Sequence, residues 1–278
     1  MKYLYHYTSV ETLALILKNK TICFNNLLYV DDIEEAQSQD MGNFGKFVYV
    51  SCWTDDEKES IPLWNLYTPS MHGVRIKLPE FPFKKYMYKS GELFFTEDTE
   101  TYVDCRKIYD ENKVSIVANA PSLIKVEYTN EHEKLFPKVK TESFPGAMQK
   151  FIDAKEMSEL AKGDIEINYS FEEIGKYKRE DWRFQSEWRY KITIAPMGMK
   201  ELNPLTFENQ QEYCRRIEDR NAVPPYEKIF LDISDDAFEN MEILLGPKMN
   251  EAEKILVIAL LNQYAPKCIL RESNLKIR

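Results

Sequence analysis

The residues able to do chemistry in this sequence fall into four short groups. His6-Tyr7 closes an alternating segment, Lys2 to Tyr7, in which Tyr3, Tyr5 and Tyr7 share one face and Leu4 and His6 the other. An imidazole at a strand end reaches into a cleft, or else simply satisfies a backbone carbonyl. In Phe184-Gln-Ser-Glu-Trp-Arg-Tyr190 a period of two puts Gln185, Glu187 and Arg189 on one face. Glu187 then stands between an amide and a guanidinium that orient it and keep it ionised; the plain alternative is a solvent-facing Glu–Arg pair. Asp31, Asp32, Glu34 and Glu35 suit a divalent cation, a helix N-terminus, or pairing with Arg189. They lack the D-x-D-x-D-G pattern of a calcium loop, which argues against a dedicated metal site. Ser51, Trp53, Trp64 and Tyr67 supply a hydroxyl and rings that either stack on a planar ligand or fill the core.

Several chemistries are excluded. The 9 glycines include no G-x-G pair, which removes the dinucleotide fingerprint and the phosphate-cradling loop. With 3 histidines far apart and 5 scattered cysteines lacking any C-x-x-C, neither a zinc site nor a disulfide framework is expected. No nucleophile elbow surrounds Ser51, and Cys52 has no adjacent base. The chain has 278 residues, 44% of them hydrophobic, enough for a sizeable core, and a net charge of −9 that disfavours broad nucleic-acid affinity. The opening residues lack the apolar run of a secretory signal and no stretch is long enough to span a bilayer, so a soluble, cytoplasmic protein without a membrane partner is expected.

The elements that must position these groups are legible as patterns. A first strand over Lys2 to Tyr7 leads into a capping box, Thr8-Ser-Val-Glu11, a helix to about Lys20 and a second strand, Thr21 to Phe24. Asp31 to Glu35 is expected to open a short helix. Phe47 to Trp53 is the strongest strand and is expected to be central; Ile61 to Tyr67 is a helix, and Gly73 to Leu78 a returning strand. Thr101 to Ile108 and Leu123 to Tyr128 are β-like, Phe144 to Ala161 an amphipathic helix, and 162–183 charged and loop-like. Glu187 to Ile194, Lys228 to Ile233, Glu242 to Leu245 and Lys267 to Leu270 read as strands, with a helix over Asn250 to Tyr264. Strands mixed with helices of uneven length predict an α+β fold in a single domain, 1–278, with 83–180 as an insertion.

Taken in order, Tyr5-His6-Tyr7-Thr8-Ser9, Asp31-Asp32-Ile33-Glu34-Glu35, Ser51-Cys52-Trp53, Trp64 to Tyr67 with Gly73, Trp182 with Gln185-Ser-Glu187-Trp-Arg189, and Ile243-Leu-Leu-Gly246 resemble a bacterial domain family of unknown function. That family is marked by Y-H-Y-T, N-D-P-F-E, F-S, W-x-x-Y and E-x-E-x-R motifs. Asp31 stands where the family usually has Asn, and Gln185 where it has the first Glu. The family in turn is similar to ADP-ribosyltransferases. The resemblance implies a split β-sandwich core flanked by helices, and NAD as substrate with no metal. It implies Glu187 and Gln185 as catalytic residues, with His6, Tyr7, Thr8, Ser51, Trp64, Tyr67 and Arg189 binding NAD.

The activity so implied is NAD-dependent ADP-ribosyl transfer by a toxin or phage-defence effector. The acceptor is a protein or a nucleic acid, and an antitoxin or immunity protein is the implied partner. Breaking the nicotinamide bond develops positive charge at the ribosyl carbon, which a carboxylate such as Glu187 attracts. Two other classes stand beside it: a metal-dependent nuclease using Asp31 or Asp32 with Glu187, weakened because Arg189 cannot coordinate a metal, and a non-catalytic nucleotide-sensing module.

Overall fold

In a computed structural model of the chain, residues 2–108, 114–143, 166–202 and 206–277 are described. Strand β1 (Tyr3–Thr8) leads to helix α1 (Val10–Asn19), whose N-cap is Ser9, one residue later than the capping-box pattern predicts, accepting from Thr12 N–H at 3.2 Å. Strand β2 (Thr21–Asn26) follows. Residues 33–36 form a turn rather than the expected helix, because Asp32 Oδ1 accepts from Glu34 N–H at 3.0 Å and closes the chain locally. Strand β3 (Val48–Thr54) is buried on both faces, as its unbroken apolar run requires. Helix α2 (Ile61–Tyr67) takes Pro62 in its first turn, and β4 (Val74–Pro79) returns alongside β1.

The middle of the chain forms short pieces: β5 (Tyr86–Tyr88), β6 (Thr99–Thr101), β7 (Ser115–Ile116), β8 (Ser122–Lys125), β9 (Glu127–Tyr128), β10 (Lys140–Ser143), β11 (Glu166–Tyr169) and β12 (Tyr177–Lys178). The β-like stretch predicted over Thr101 to Ile108 ends at Thr101; Cys105–Ile108 is a helical turn. The predicted helix over Phe144 to Ala161 lies outside the described residues. A 3-10 helix, Glu180–Gln185, occupies part of the segment read as loop, ahead of the long strand β13 (Glu187–Ala195). Then come β14 (Lys228–Asp232), β15 (Glu242–Leu245) and β16 (Ile269–Glu272). Helices Phe207–Glu218 and Asp235–Glu239, which the hydrophobic pattern did not announce, precede and follow β14. Helix Glu251–Tyr264 starts at a complete capping box of Asn250 and Glu253.

The fold is mixed α+β. Strands β14-β2-β3-β1-β4-β15-β16 form one path, and β13 joins it through β3 while also pairing β7 and β8. β3 is central. β13 covers the whole of one edge, from Thr193 opposite Val48 to Glu187 opposite Thr54. The other edge is divided: β2 pairs with Tyr49 and Val50, and β1 meets β3 only where Tyr5 faces Thr54. Between these contacts, along Ser51, Cys52 and Trp53, the sheet forks. Among the described residues no helix is long and apolar enough to cross a membrane.

Past the fork, β1, β4 and β15 meet at two glycines. Gly246 N–H donates to Gly73 O at 2.9 Å, and a Cβ on Gly73 would fall 2.6 Å from Thr68 Cβ. Backbone here packs on backbone, so no side chain fits. A small apolar cluster of Tyr7, Leu63, Trp64, Met71 and Leu244 lies next to this junction, partly covered by Leu275 and Ile277.

Candidate functional site

The forked edge leaves β3 short of ladder partners, and His6 answers for one of them. Its Nδ1–H donates to Cys52 O at 2.8 Å. The tautomer follows, since a carbonyl only accepts: Nδ1 carries the proton and Nε2 keeps a bare lone pair. Burial lowers the His6 pKa, against the pull of that carbonyl, so the ring is neutral near pH 7. Its ring lies against Trp53, with centroids 5.1 Å apart. Both alternatives read from the sequence therefore hold for His6: it satisfies a carbonyl and it lines a cleft.

That cleft opens at the fork. Its walls are Tyr5, His6, Tyr7, Cys52, Trp53, Thr54, Leu63, Tyr67 and Gln185, and it encloses about 340 Å³ counting its open mouth. The lining is mostly aromatic and carries no Lys or Arg. Five of the residues singled out in the sequence meet here: His6, Tyr7, Trp53, Tyr67 and Gln185. Tyr5, Cys52, Thr54 and Leu63 were missed. Tyr5 and Thr54 share a face because they are cross-strand partners, and such a pairing is not visible in sequence.

The other predicted residues lie elsewhere. Thr8 is buried with its carbonyl against Gly73. Trp64 is fully buried, donating its indole N–H to Glu59 Oε2 at 3.1 Å and standing edge-on to Tyr7 at 4.8 Å. Ser51 accepts from the Trp53 indole at 3.1 Å. It sits opposite Tyr190 in the ladder, on the face away from Glu187 and Arg189, whose partners are Thr54 and Cys52. None of the three lines the cleft. The uniform period of two through 184–190 also fails, because Ser186 adopts a left-handed φ of 44° and the strand begins only at Glu187.

Behind the cleft lies a closed group of charges. Glu35, Lys178, Glu187 and Arg189 are each at most 4% exposed. Arg189 Nε donates to Glu187 Oε1 at 2.8 Å and Nη1 to Gly175 O at 2.8 Å; Nη1 also bonds Glu35 Oε2. Lys178 Nζ donates to Glu187 Oε2 at 2.7 Å and to Gln185 Oε1 at 2.9 Å, and stands 3.1 Å from Glu35 Oε1. The pairing of the acidic group with Arg189 that the sequence suggested is thus made by Glu35, while Glu34 pairs with Arg179. Lys178 was missed because it sits in a charged stretch with no periodicity.

Burial alone would raise the Glu187 pKa, but Arg189 and Lys178 outweigh it and hold the carboxyl down at about 2. For Glu35 burial wins and the pKa is raised. Burial and the neighbouring Glu187 push the Cys52 thiol up, and Cys52 bonds that carboxylate. Glu187 therefore sits one side-chain layer back from the cleft, behind Cys52 and Gln185. Its N–H donates to Tyr128 Oη at 2.8 Å.

Next along β13, buried Lys191 donates to the carbonyls of Phe171, Glu172 and Ile174 at 2.8 to 3.2 Å. Burial and the nearby Arg189 lower its pKa to about 8. It fastens the loop that ends at Gly175, whose φ of +74° suits glycine. Among the described residues no three His, Cys, Asp or Glu side chains are grouped to hold a metal ion. No family model, curated protein or solved structure shows a significant match to this chain.

Proposed function

We propose that the chain is an NAD-dependent ADP-ribosyltransferase, with NAD as substrate and a protein or nucleic acid as acceptor, acting as a bacterial toxin or antiviral defence effector. One observation carries the reading: at the fork of a mixed sheet, His6 of the first strand and Gln185, at the head of the strand bearing Glu187, line one aromatic-walled cleft. Of the residues that the family resemblance implies, His6, Tyr7, Tyr67 and Gln185 line it. The split β-sandwich belongs to the same proposal. It rests on β3 carrying β13 on one edge and dividing the other between β1 and β2.

The cleft is small and open to solvent, with aromatic walls and few polar groups. It suits a nicotinamide ring between Tyr7 and Tyr67, while the rest of the dinucleotide extends over the surface. No cation lines the cleft, so the pyrophosphate finds its partners outside it. Glu187, ionised at neutral pH, supplies attraction for the developing ribosyl charge; for direct contact the Cys52 and Gln185 layer must yield.

A second reading, a non-catalytic nucleotide-binding module, is favoured by one specific observation. Both Glu187 oxygens already bond Arg189 and Lys178, in a group whose charges cancel. The metal-dependent nuclease has no comparable support. Asp32 is tied into its own turn and Glu187 into the ion group, so the two do not form a donor set.

The test is incubation with labelled NAD and lysate in the presence of EDTA, reading nicotinamide release and label on protein, RNA and DNA fractions, beside Glu187→Gln checked for folding. Glu187-dependent label is the expected result. Stabilisation by NAD without nicotinamide release supports the module instead.

A further inference from the structure

Two hydrogen bonds run from the ion group into the cleft, and their direction is fixed by what each group can do. Lys178 Nζ only donates, so the Gln185 oxygen faces it at 2.9 Å. The Gln185 amide nitrogen then faces Tyr67 and donates to its Oη at 2.6 Å. With its oxygen accepting from Gln185, the Tyr67 hydroxyl turns its own proton away from Gln185, on a side chain that lines the cleft. A chain of bonds that begins at a cation polarises each member in turn and strengthens the last donor. His6, which also lines the cleft, spends its one N–H on Cys52 O and keeps Nε2 as an acceptor.

We infer that the cleft reads a neutral planar ring bearing a hydrogen-bond acceptor beside an N–H donor. Tyr67 donates to the first and His6 Nε2 accepts from the second, and Gln185 is the positioning residue that sets the polarity. A carboxamide has that edge, and so does an amino-substituted nucleobase. The inference rests on the cleft being the ligand site of the proposed function, but not on transfer itself. It also gives a physical meaning to Gln185. A glutamate there would keep its bond to Lys178, but its second oxygen could only accept. The Tyr67 proton would then turn inward to Glu, and the cleft would face its ligand with two acceptors.

The experiment is a calorimetric titration of wild type, Gln185→Glu and Tyr67→Phe with four neutral probes: nicotinamide, adenine, pyridine-3-carbonitrile, which only accepts at its substituent, and 3-aminopyridine above its own pKa, which donates there. Wild type should hold the nitrile through Tyr67 and the amine through His6. Gln185→Glu should weaken the nitrile about tenfold while the amine is kept or tightened, a change that general damage to the site would not produce. Should Gln185→Glu fail to fold, Tyr67→Phe must still weaken the nitrile and spare the amine. An unchanged nitrile-to-amine ratio in the folded variants, or no binding of any probe, overturns the inference. Adenine binding without nicotinamide binding would sustain it and remove the placement of the nicotinamide ring in this cleft. Turnover of NAD with no probe preference would overturn it and leave the NAD reading standing.

Discussion

Replacing Glu187 by Gln removes one charge from a quartet that balances only when complete. Glu35, Lys178, Glu187 and Arg189 carry two charges of each sign, on side chains at most 5% exposed. With Gln at 187 the shape survives, but Lys178 and Arg189 are left with Glu35 alone and the group becomes a buried net cation. Two estimates of the cost agree. The carboxyl lies at about 2 instead of 4.5, and at about 1.4 kcal/mol per unit this gives about 3 kcal/mol. Breaking a buried ion pair from one side costs about 3–5 kcal/mol. Against a total stability on the order of 5–15 kcal/mol this is a large share. Lys178→Gln alone should cost a similar amount by leaving a net anion, whereas the double variant leaves Glu35 to Arg189 and restores the balance. The two substitutions should therefore couple by at least about 2 kcal/mol. Urea unfolding followed by tryptophan fluorescence measures all four proteins. Additive single effects, or a Glu187→Gln protein within about 1 kcal/mol of wild type, would refute the charge-balance argument. The expected size also governs how the transferase test is run: label must be compared below the lowered unfolding midpoint, where loss of activity cannot be loss of fold.

The same carboxylate sets an acid limit. Its folded pKa lies below the unfolded one, so its contribution is complete above about pH 4.5 and disappears as pH falls toward 2; wild type should lose stability faster than Glu187→Gln in that window, and parallel profiles would count against it. Gly246→Ala would set a Cβ 2.7 Å from Gly73 O, in backbone that has no room to move; overpacking of about 1–3 kcal/mol should lower the melting temperature, and an unchanged one would disprove the close packing. Glu59 accepts from the Trp64 indole, the Ser273 hydroxyl and Asn274 N–H; Glu59→Ala should speed amide exchange across 273–277, and unaltered exchange would show that Glu59 does not hold this segment. His6→Ala leaves the Cys52 carbonyl unpaired at the fork, at about 1–3 kcal/mol; His6→Asn, which can still donate, should recover part of it, and equal losses would argue that the bond is unimportant.

Local pattern carried the reading of the first 80 residues well. The strands around Tyr5, Phe24 and Val50, and the helices at Leu13 and Leu63, depend on alternation, capping and a proline in a first turn, all of which sit within a few residues of one another. Where bonds join distant parts of the chain, the reading stopped. Glu35 and Arg189 were matched by charge type, but Lys178 had no pattern to mark it, and only the fold brings 35, 178 and 187 together. Asp31 to Glu35 looked like a helix start because acidic residues favour both that position and tight turns; the Asp32 side chain chose the turn. The left-handed Ser186 broke a period that the sequence alone presents as continuous. Above all, the fork that makes the cleft arises from β1 and β2 dividing an edge of β3, a fact of strand pairing rather than of any one segment.

The ion group and the cleft are parts of one construction. Arg189 and Lys178 tie β13 to the turn bearing Glu35 and to the segment around Gly175, which holds the strand against β3. Because its four charges cancel, the group sends little net potential into the cleft, and a ligand there meets oriented dipoles rather than a bare ion. What passes forward is direction: Lys178 fixes the Gln185 amide, and Gln185 fixes Tyr67. A ligand is then selected by the hydrogen-bond pattern of its edge and by the fit of its ring between aromatic walls. Only a rearrangement that frees Glu187 from Lys178 or Arg189 would expose charge to it. Such a step has a clear energetic scale, since losing either cation leaves a buried carboxylate underpaired at a cost of about 3–5 kcal/mol. A catalytic cycle that used Glu187 directly would have to recover that cost from contacts made by the bound ligand. In a transferase, free nicotinamide should therefore leave the quartet closed, and the intact dinucleotide should open it.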